Sequence, residues 1–202
     1  MNTWLFVGLG NPGKEYEHTP HNVGFAAVDA LWDYLDHEHY SPTPWKFEKS
    51  SNALVSTCVV NDHKLIMAKP QTFMNLSGSA VMKLMASGKW LVANLIILHD
   101  DIDITQGTVR IRKNGSSAGH KGIQSIIDTL GTEEFCRVRI GIRPFSAKGG
   151  PASGWQGDTT TFVLQKMPKA TQQLFHTIFS RITEELLRSV TQGIQETTLT
   201  IP

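Results

Sequence analysis

Four short stretches of the chain carry the side chains that could do chemistry. They are "GLGNPG" at residues 8 to 13 with Asn11, "TPHN" with His21, "KPQTFMN" ending in Asn75, and "HDDID" beginning at His99. Histidine alone titrates near neutrality without perturbation, so His21 is the natural group to take a proton from water. A carboxylate such as Asp100, hydrogen-bonded to one imidazole nitrogen, would fix the tautomer and leave the other nitrogen free to act as base. The amides of Asn11 and Asn75 would then donate to a developing oxyanion. Considered alone, a histidine at a helix start reads as a cap or a surface residue. The placement of Asp100 just after the apolar run "LIIL" is what favours the base.

Three rival chemistries are written in the same letters. Gly8, Gly10 and Gly13 match the GxGxxG spacing of a dinucleotide-binding unit, which needs a helix starting at the glycines and a carboxylate at the end of a second strand. Pro20 interrupts such a helix, and Asp29, Asp33 and Asp36 fall inside the helical pattern of Val23, Ala27, Val28, Leu31 and Leu35. "GSSAG" at 115 to 119 matches the nucleophile elbow around Ser117, but the order serine, acid, histidine leaves only His176, in the long C-terminal helix. "HDDID" offers His99, Asp100, Asp101 and Asp103 to a divalent ion, with no second group at convincing ligand spacing.

The elements that must position these residues follow from periodicity. Strand-like runs fall at about 3 to 8, 53 to 60, 64 to 68, 92 to 98, 107 to 113 and 136 to 142; helical runs at about 22 to 38, 77 to 87, 120 to 130 and 169 to 192. The last has Leu174, Ile178, Ile182, Leu186 and Val190 spaced by four. This order implies an α/β fold over residues 1 to 202: one domain, a mixed twisted sheet with helices on both faces, and a long C-terminal helix. Residues 146 to 158, "SAKGGPASGWQGD", read as a flexible loop. Three apolar strands run into the polar clusters, and the carboxyl ends of strands form the ligand crevice of such sheets.

Composition narrows the function. A formal net charge of +1 argues against a protein that coats nucleic acid indiscriminately, yet residues 110 to 148 hold eight basic side chains against three acidic ones. Alternation in "TVRIRK" and "CRVRIGI" puts Arg110 with Arg112, and Arg137 with Arg139, each pair on one face of its strand. A solvated strand face and a phosphate-backbone contact are both open readings of that pattern. Cys58 and Cys136 lie in strand-like runs without CxxC spacing, which suits buried thiols in a reducing compartment. With no long apolar run and no leader-like N-terminus, a soluble cytoplasmic protein is expected.

Taken together, "VGLGNPGKEYEHTPHNVGF", "KPQTFMNLSGSAV", "HDDIDITQGTVRIRKNGSSAGHKGIQSI" and "FCRVRIGI" resemble the bacterial peptidyl-tRNA hydrolase family, in order and in spacing, from about residue 4 to residue 143. The resemblance implies a monomeric, metal-free and cofactor-free enzyme that hydrolyses the ester between a peptide and the 3′ ribose of tRNA. It implies His21 as general base, Asp100 as its orienting partner, and Asn11 beside the scissile ester, helping to tell a blocked amino group from a free one. Tyr16, Phe73, Asn75, His120 and Lys121 would line the site, and Arg110, Arg112 and Arg139 match positions that meet tRNA phosphates. The family usually reads "TRHN" and "GHNG" where this chain has Pro20 and Lys121. Pro20 restricts Thr19 and sets the approach to His21. Lys121 offers a cation for a terminal phosphate and would also tend to lower the pKa of a nearby histidine. "GIRP" is shorter than the family's usual turn, so no role carries over to Arg143. A tRNA-binding protein of the same fold with weak or lost turnover is the alternative, and a dinucleotide-binding oxidoreductase a distant third.

Overall fold

A computed structural model describes residues 2 to 88, 91 to 145 and 157 to 201. Its centre is β1 (Thr3–Gly8), whose continuous apolar run is buried on both faces between parallel neighbours β4 (His63–Pro70) and β5 (Leu95–Thr105). The described strands form one eight-stranded mixed sheet in the order β2-β3-β4-β1-β5-β7-β6-β8, with β2 at Lys46–Glu48, β3 at Ala53–Val60, β6 at Thr108–Arg112, β7 at Cys136–Arg143 and β8 at Thr197–Thr200. The α/β class and the helices on both faces are as the periodicity predicts.

Each helix buries the stripe its sequence announces. On one face lie α1 (Val23–His37) and the long α5 (Lys169–Gln192), where Val28, Leu31, Phe175, Ile178 and Ile182 pack against Phe6, Leu98 and Val138 of the sheet. On the other lie α2 (Ser77–Gly88) and α3 (Lys121–Leu130), which close over Leu5, Val7 and Ile97. Between β7 and α5 sits a single turn, α4 (Thr159–Phe162), capped by the Asp158 carboxylate. The loop expected at 146 to 158 falls, up to residue 156, outside the described residues.

Two features differ from the sequence expectation. The short edge strands β2 and β8 carry only three and four residues and give no legible alternation. More consequential, β5 does not end with its apolar run: it continues through "HDDID" to Thr105, held by parallel pairing to β7 as far as Asp101↔Gly141. The acidic cluster is therefore strand, not loop.

The glycines after β1 serve close packing. A Cβ on Gly8 would collide with the carbonyl of Gly24 in α1, and one on Gly24 would run into the carbonyl oxygen of Leu98 and the backbone of Leu9. Helix α1 thus touches β1 and β5 backbone to backbone, three residues after His21. Ahead of it, pre-proline Thr19 is extended (φ −88°, ψ 153°), and Pro20–Asn22 form one 3-10 turn that delivers the histidine to the carboxyl end of the sheet.

Candidate active site

His21 is fixed from both ends. Its backbone N–H donates to the Val163 carbonyl (3.0 Å), and its Nδ1 lies 2.9 Å from Asp100 Oδ1. Asp100 is 3% exposed in β5, and a second imidazole, His120, places Nε2 2.9 Å from the same oxygen. The hydrogens can be assigned from the partners. His120 Nδ1 accepts the amide protons of Gly122 and Ile123, capping α3, so the ring proton sits on Nε2 and is donated to Asp100. His21 likewise donates from Nδ1 to the carboxylate, which leaves its Nε2 as an acceptor.

The electrostatics agree with that assignment. Burial tends to raise the Asp100 carboxyl, but the two imidazoles hold it far below the usual carboxylate range. Burial also pulls His21 down; the charge and hydrogen bond of Asp100 outweigh it and leave its pKa above the ordinary 6.5, with Lys121 acting weakly in the opposite sense. The lowering expected from Lys121 is present but does not decide the sign. Behind the pair, His99 donates Nδ1–H to the Asp100 carbonyl (2.7 Å) and sets its ring edge-on to His120, centroids 4.8 Å apart. Burial, with His120 beside it, holds His99 well below its usual range, so it stays neutral, and its buried Nε2 has no partner.

Asn11 is locked by its loop. The Asn22 side chain accepts from the Asn11 backbone N–H and donates to its carbonyl, both at 2.9 Å, while Asn11 Oδ1 accepts from Met74 N–H (2.8 Å). With the oxygen engaged, the amide nitrogen is the end left to face the cavity. That cavity, about 640 Å³, is lined by Asn11, His21, Phe73, Asn75, Lys121 and Leu164 among others. Phe73 and Leu164 are exposed and give it an apolar wall. Tyr16 stands outside the lining and meets Phe73 edge-on at 6.4 Å. His120 lines the cavity too, but both its ring nitrogens are engaged inside the protein, so it supports Asp100 rather than offering a polar contact to a ligand.

The arginines lie on the next two strands. Register pairs Arg110 with Arg139 and Arg112 with Arg137, which sets all four on one face of the β6–β7 ribbon. Their surroundings differ. Arg139 Nε binds Asp101 Oδ2 at 2.6 Å, Arg137 is buried and donates to the carbonyls of Ser116 and Glu133, and Arg112 donates to the Thr197 carbonyl of β8. Arg110 alone is exposed without a hydrogen bond or ion pair. Arg110, Arg112 and Arg139, expected to meet tRNA phosphates, thus differ in what already holds them: Arg110 has no partner among the described residues, Arg112 is tied to β8 and Arg139 to Asp101.

The rivals fare worse. Ser117 donates to Gln124 (2.7 Å), and His176 is exposed on α5, the helix of the opposite sheet face. Among the described residues the one grouping suited to a metal is His21, Asp100 and His120, with ligand atoms within 4.8 Å of one another. The atoms that face one another there are already committed to one another: both imidazoles point protons at one carboxylate oxygen, and His120 Nδ1 accepts two amides. Asp101 and Asp103 do not join them, since Asp101 bonds Arg139 and the Asp103 N–H.

A mixed α/β sheet whose carboxyl end presents a carboxylate-oriented histidine and a free amide is an arrangement fitted to a hydrolase. The model of the peptidyl-tRNA hydrolase family matches residues 5–201, and this chain belongs to that family. Similar relatives include the peptidyl-tRNA hydrolases of Listeria welshimeri, 43% identical over 169 residues and 83% of each chain, and of Syntrophomonas wolfei, 46% identical over 138 residues, 68% of this chain and 72% of the relative. The crystal structure of peptidyl-tRNA hydrolase from Acinetobacter baumannii superposes with a TM-score of 0.80 at 30% identity, covering 95% of this chain and 90% of that one.

Proposed function

We propose that the chain hydrolyses the ester joining a peptide, or an N-blocked aminoacyl group, to the 3′ ribose of tRNA, with His21 as general base. The observation that carries this reading is the His21–Asp100–His120 arrangement on one carboxylate oxygen, opening onto the cavity that Asn11 and Asn75 line. His21 Nε2 takes a proton from water as the water oxygen attacks the ester carbonyl. The Asn11 amide, with Asn75 at the rim, donates to the oxyanion. Collapse expels the ribose 3′ oxygen, which takes the proton back from the imidazolium, leaving free tRNA and a peptide acid. Phe73 and Tyr16 offer an apolar wall to the acyl chain. Arg110 meets tRNA phosphate, helped by the outward donors of Arg112 and Arg139. None of these steps calls for a metal or cofactor.

Among the described residues no helix is long and apolar enough to cross a membrane, and both cysteines are buried free thiols. The free thiols suit a reducing compartment, and a cytoplasmic monomer with no obligate protein partner is part of the same proposal. Purified protein should release the acyl group from N-acetylaminoacyl-tRNA with or without EDTA, and His21→Ala should lose most of that activity while staying folded. Retention by that variant, or recovery from EDTA only on adding a divalent ion, would overturn the mechanism. Binding of tRNA without turnover by the parent would restore the alternative.

A further inference from the structure

Lys121 occupies the first residue of α3, where the helix dipole disfavours a cation by about 0.3–1 kcal/mol. No acidic residue lies in that first turn, and Lys121 makes no hydrogen bond or ion pair. Asp100, which lines the same cavity, is already shared by two imidazoles. An uncompensated ammonium therefore stands on the cavity wall in a position that local helix energetics oppose. The other charged or titratable groups lining that cavity with His21 are Asp100, Asp101 and Asp103 of β5 and His120 at the start of α3.

The same ammonium opposes the chemistry unless something lies between it and the base. General-base catalysis makes His21 positive in the transition state, and Lys121 disfavours that charge. An anion seated beside Lys121 removes the conflict. A developing oxyanion already has the amide of the buried Asn11 to meet it, and its charge is transient. A fixed anion of the substrate is the better match. In an ester on the 3′-terminal nucleoside, the nearest fixed anion is the phosphodiester one ribose away.

Resting on the hydrolase reading above, we propose that Lys121 is a substrate-positioning residue that grips the phosphodiester on the 5′ side of the terminal nucleoside. The grip gives the enzyme a charged contact close to the ester, separate from the arginine ribbon.

Two short esters test it: N-acetylaminoacyl-adenosine, with no phosphate, and the same acyl group on cytidylyl-adenosine, with one phosphodiester. The parent should prefer the dinucleotide. Lys121→Met should lower the ratio of kcat/KM for dinucleotide over nucleoside by about tenfold, mainly through KM, as for loss of one charge-assisted hydrogen bond. Lys121→Arg should restore most of it. With the nucleoside ester, the acid limb of kcat/KM should move to higher pH in Lys121→Met, since the charge that lowers His21 is gone. An unchanged ratio, whether both esters suffer equally or neither does, would overturn the proposal. So would a parent that cleaves full-length N-acetylaminoacyl-tRNA but neither short ester. A parent that cleaves none of the three overturns the hydrolase reading instead.

Discussion

Asp100 and Asp101 are adjacent, of one residue type and nearly equally buried, at 3% and 7% exposure, yet β5 turns them to different work. Strand alternation sends Asp100 toward the entry of α1, where it accepts from His21, and Asp101 toward β7, where it accepts from Arg139 and the Asp103 amide. Asp100 partners the His21 imidazole, a group able to take up a proton; the chief partner of Asp101 is a guanidinium, which cannot. In the proposed mechanism one carboxylate therefore tunes a base, while its neighbour is a static strut between strands. The comparison teaches that a buried carboxylate takes its role from what its partner can do, not from its own burial.

The largest effect expected from breaking this contrast is on turnover. Asp100→Asn should lower kcat by about 10³–10⁴-fold in a protein that still folds, because an amide no longer secures the Nδ1–H tautomer of His21. Asp101→Asn should leave kcat within about tenfold of the parent. Equal losses in hydrolysis of N-acetylaminoacyl-tRNA would erase the distinction.

On the strut side the measurable quantity is stability. Arg139→Ala leaves the buried Asp101 carboxylate short of a partner and should cost about 2 kcal/mol in urea unfolding, less than a fully buried pair because the guanidinium is a quarter exposed. Arg110→Ala, which breaks no contact, should leave unfolding unchanged. It should raise KM for full-length tRNA and reduce the log–log salt slope by somewhat under one. Destabilisation by Arg110→Ala would mean that the whole ribbon is architectural.

Acidity sharpens the same comparison more gently. The base must be neutral to work and its pKa is raised, so kcat/KM should fall as pH drops through a value above 6.5. The residual activity of Asp100→Asn should persist to lower pH, because the carboxylate that raises His21 is gone. In Asp101→Asn the limb should stay where it is. A limb that moves in Asp101→Asn would place that carboxylate in the site's electrostatics.

Legibility in the sequence followed the range of the interactions. The long helices and inner strands were legible because their apolar spacing is local, and the end residues of α5 match the expected 169 to 192. His21 and Asp100 were legible as residue types at strand ends, but their contact spans 79 positions and rests on the resemblance rather than on spacing. The cap made by His120, the Asn22 clamp on Asn11 and the Asp101–Arg139 pair were not legible, since each depends on a partner that only folding supplies. The extension of strand β5 has a plainer reason: the acidic residues of "HDDID" interrupt the apolar run that marks a buried strand, and pairing to β7 holds the segment extended instead.

The cap at the start of α3 gives the protein an internal reporter. Two amide protons, those of Gly122 and Ile123, share the Nδ1 lone pair of His120, whose other nitrogen serves Asp100. Any displacement of that ring takes the acceptor from both amides at once. The exchange of these two amides with solvent deuterium is thereby a clock of the order around Asp100, readable in the resting enzyme without substrate or turnover.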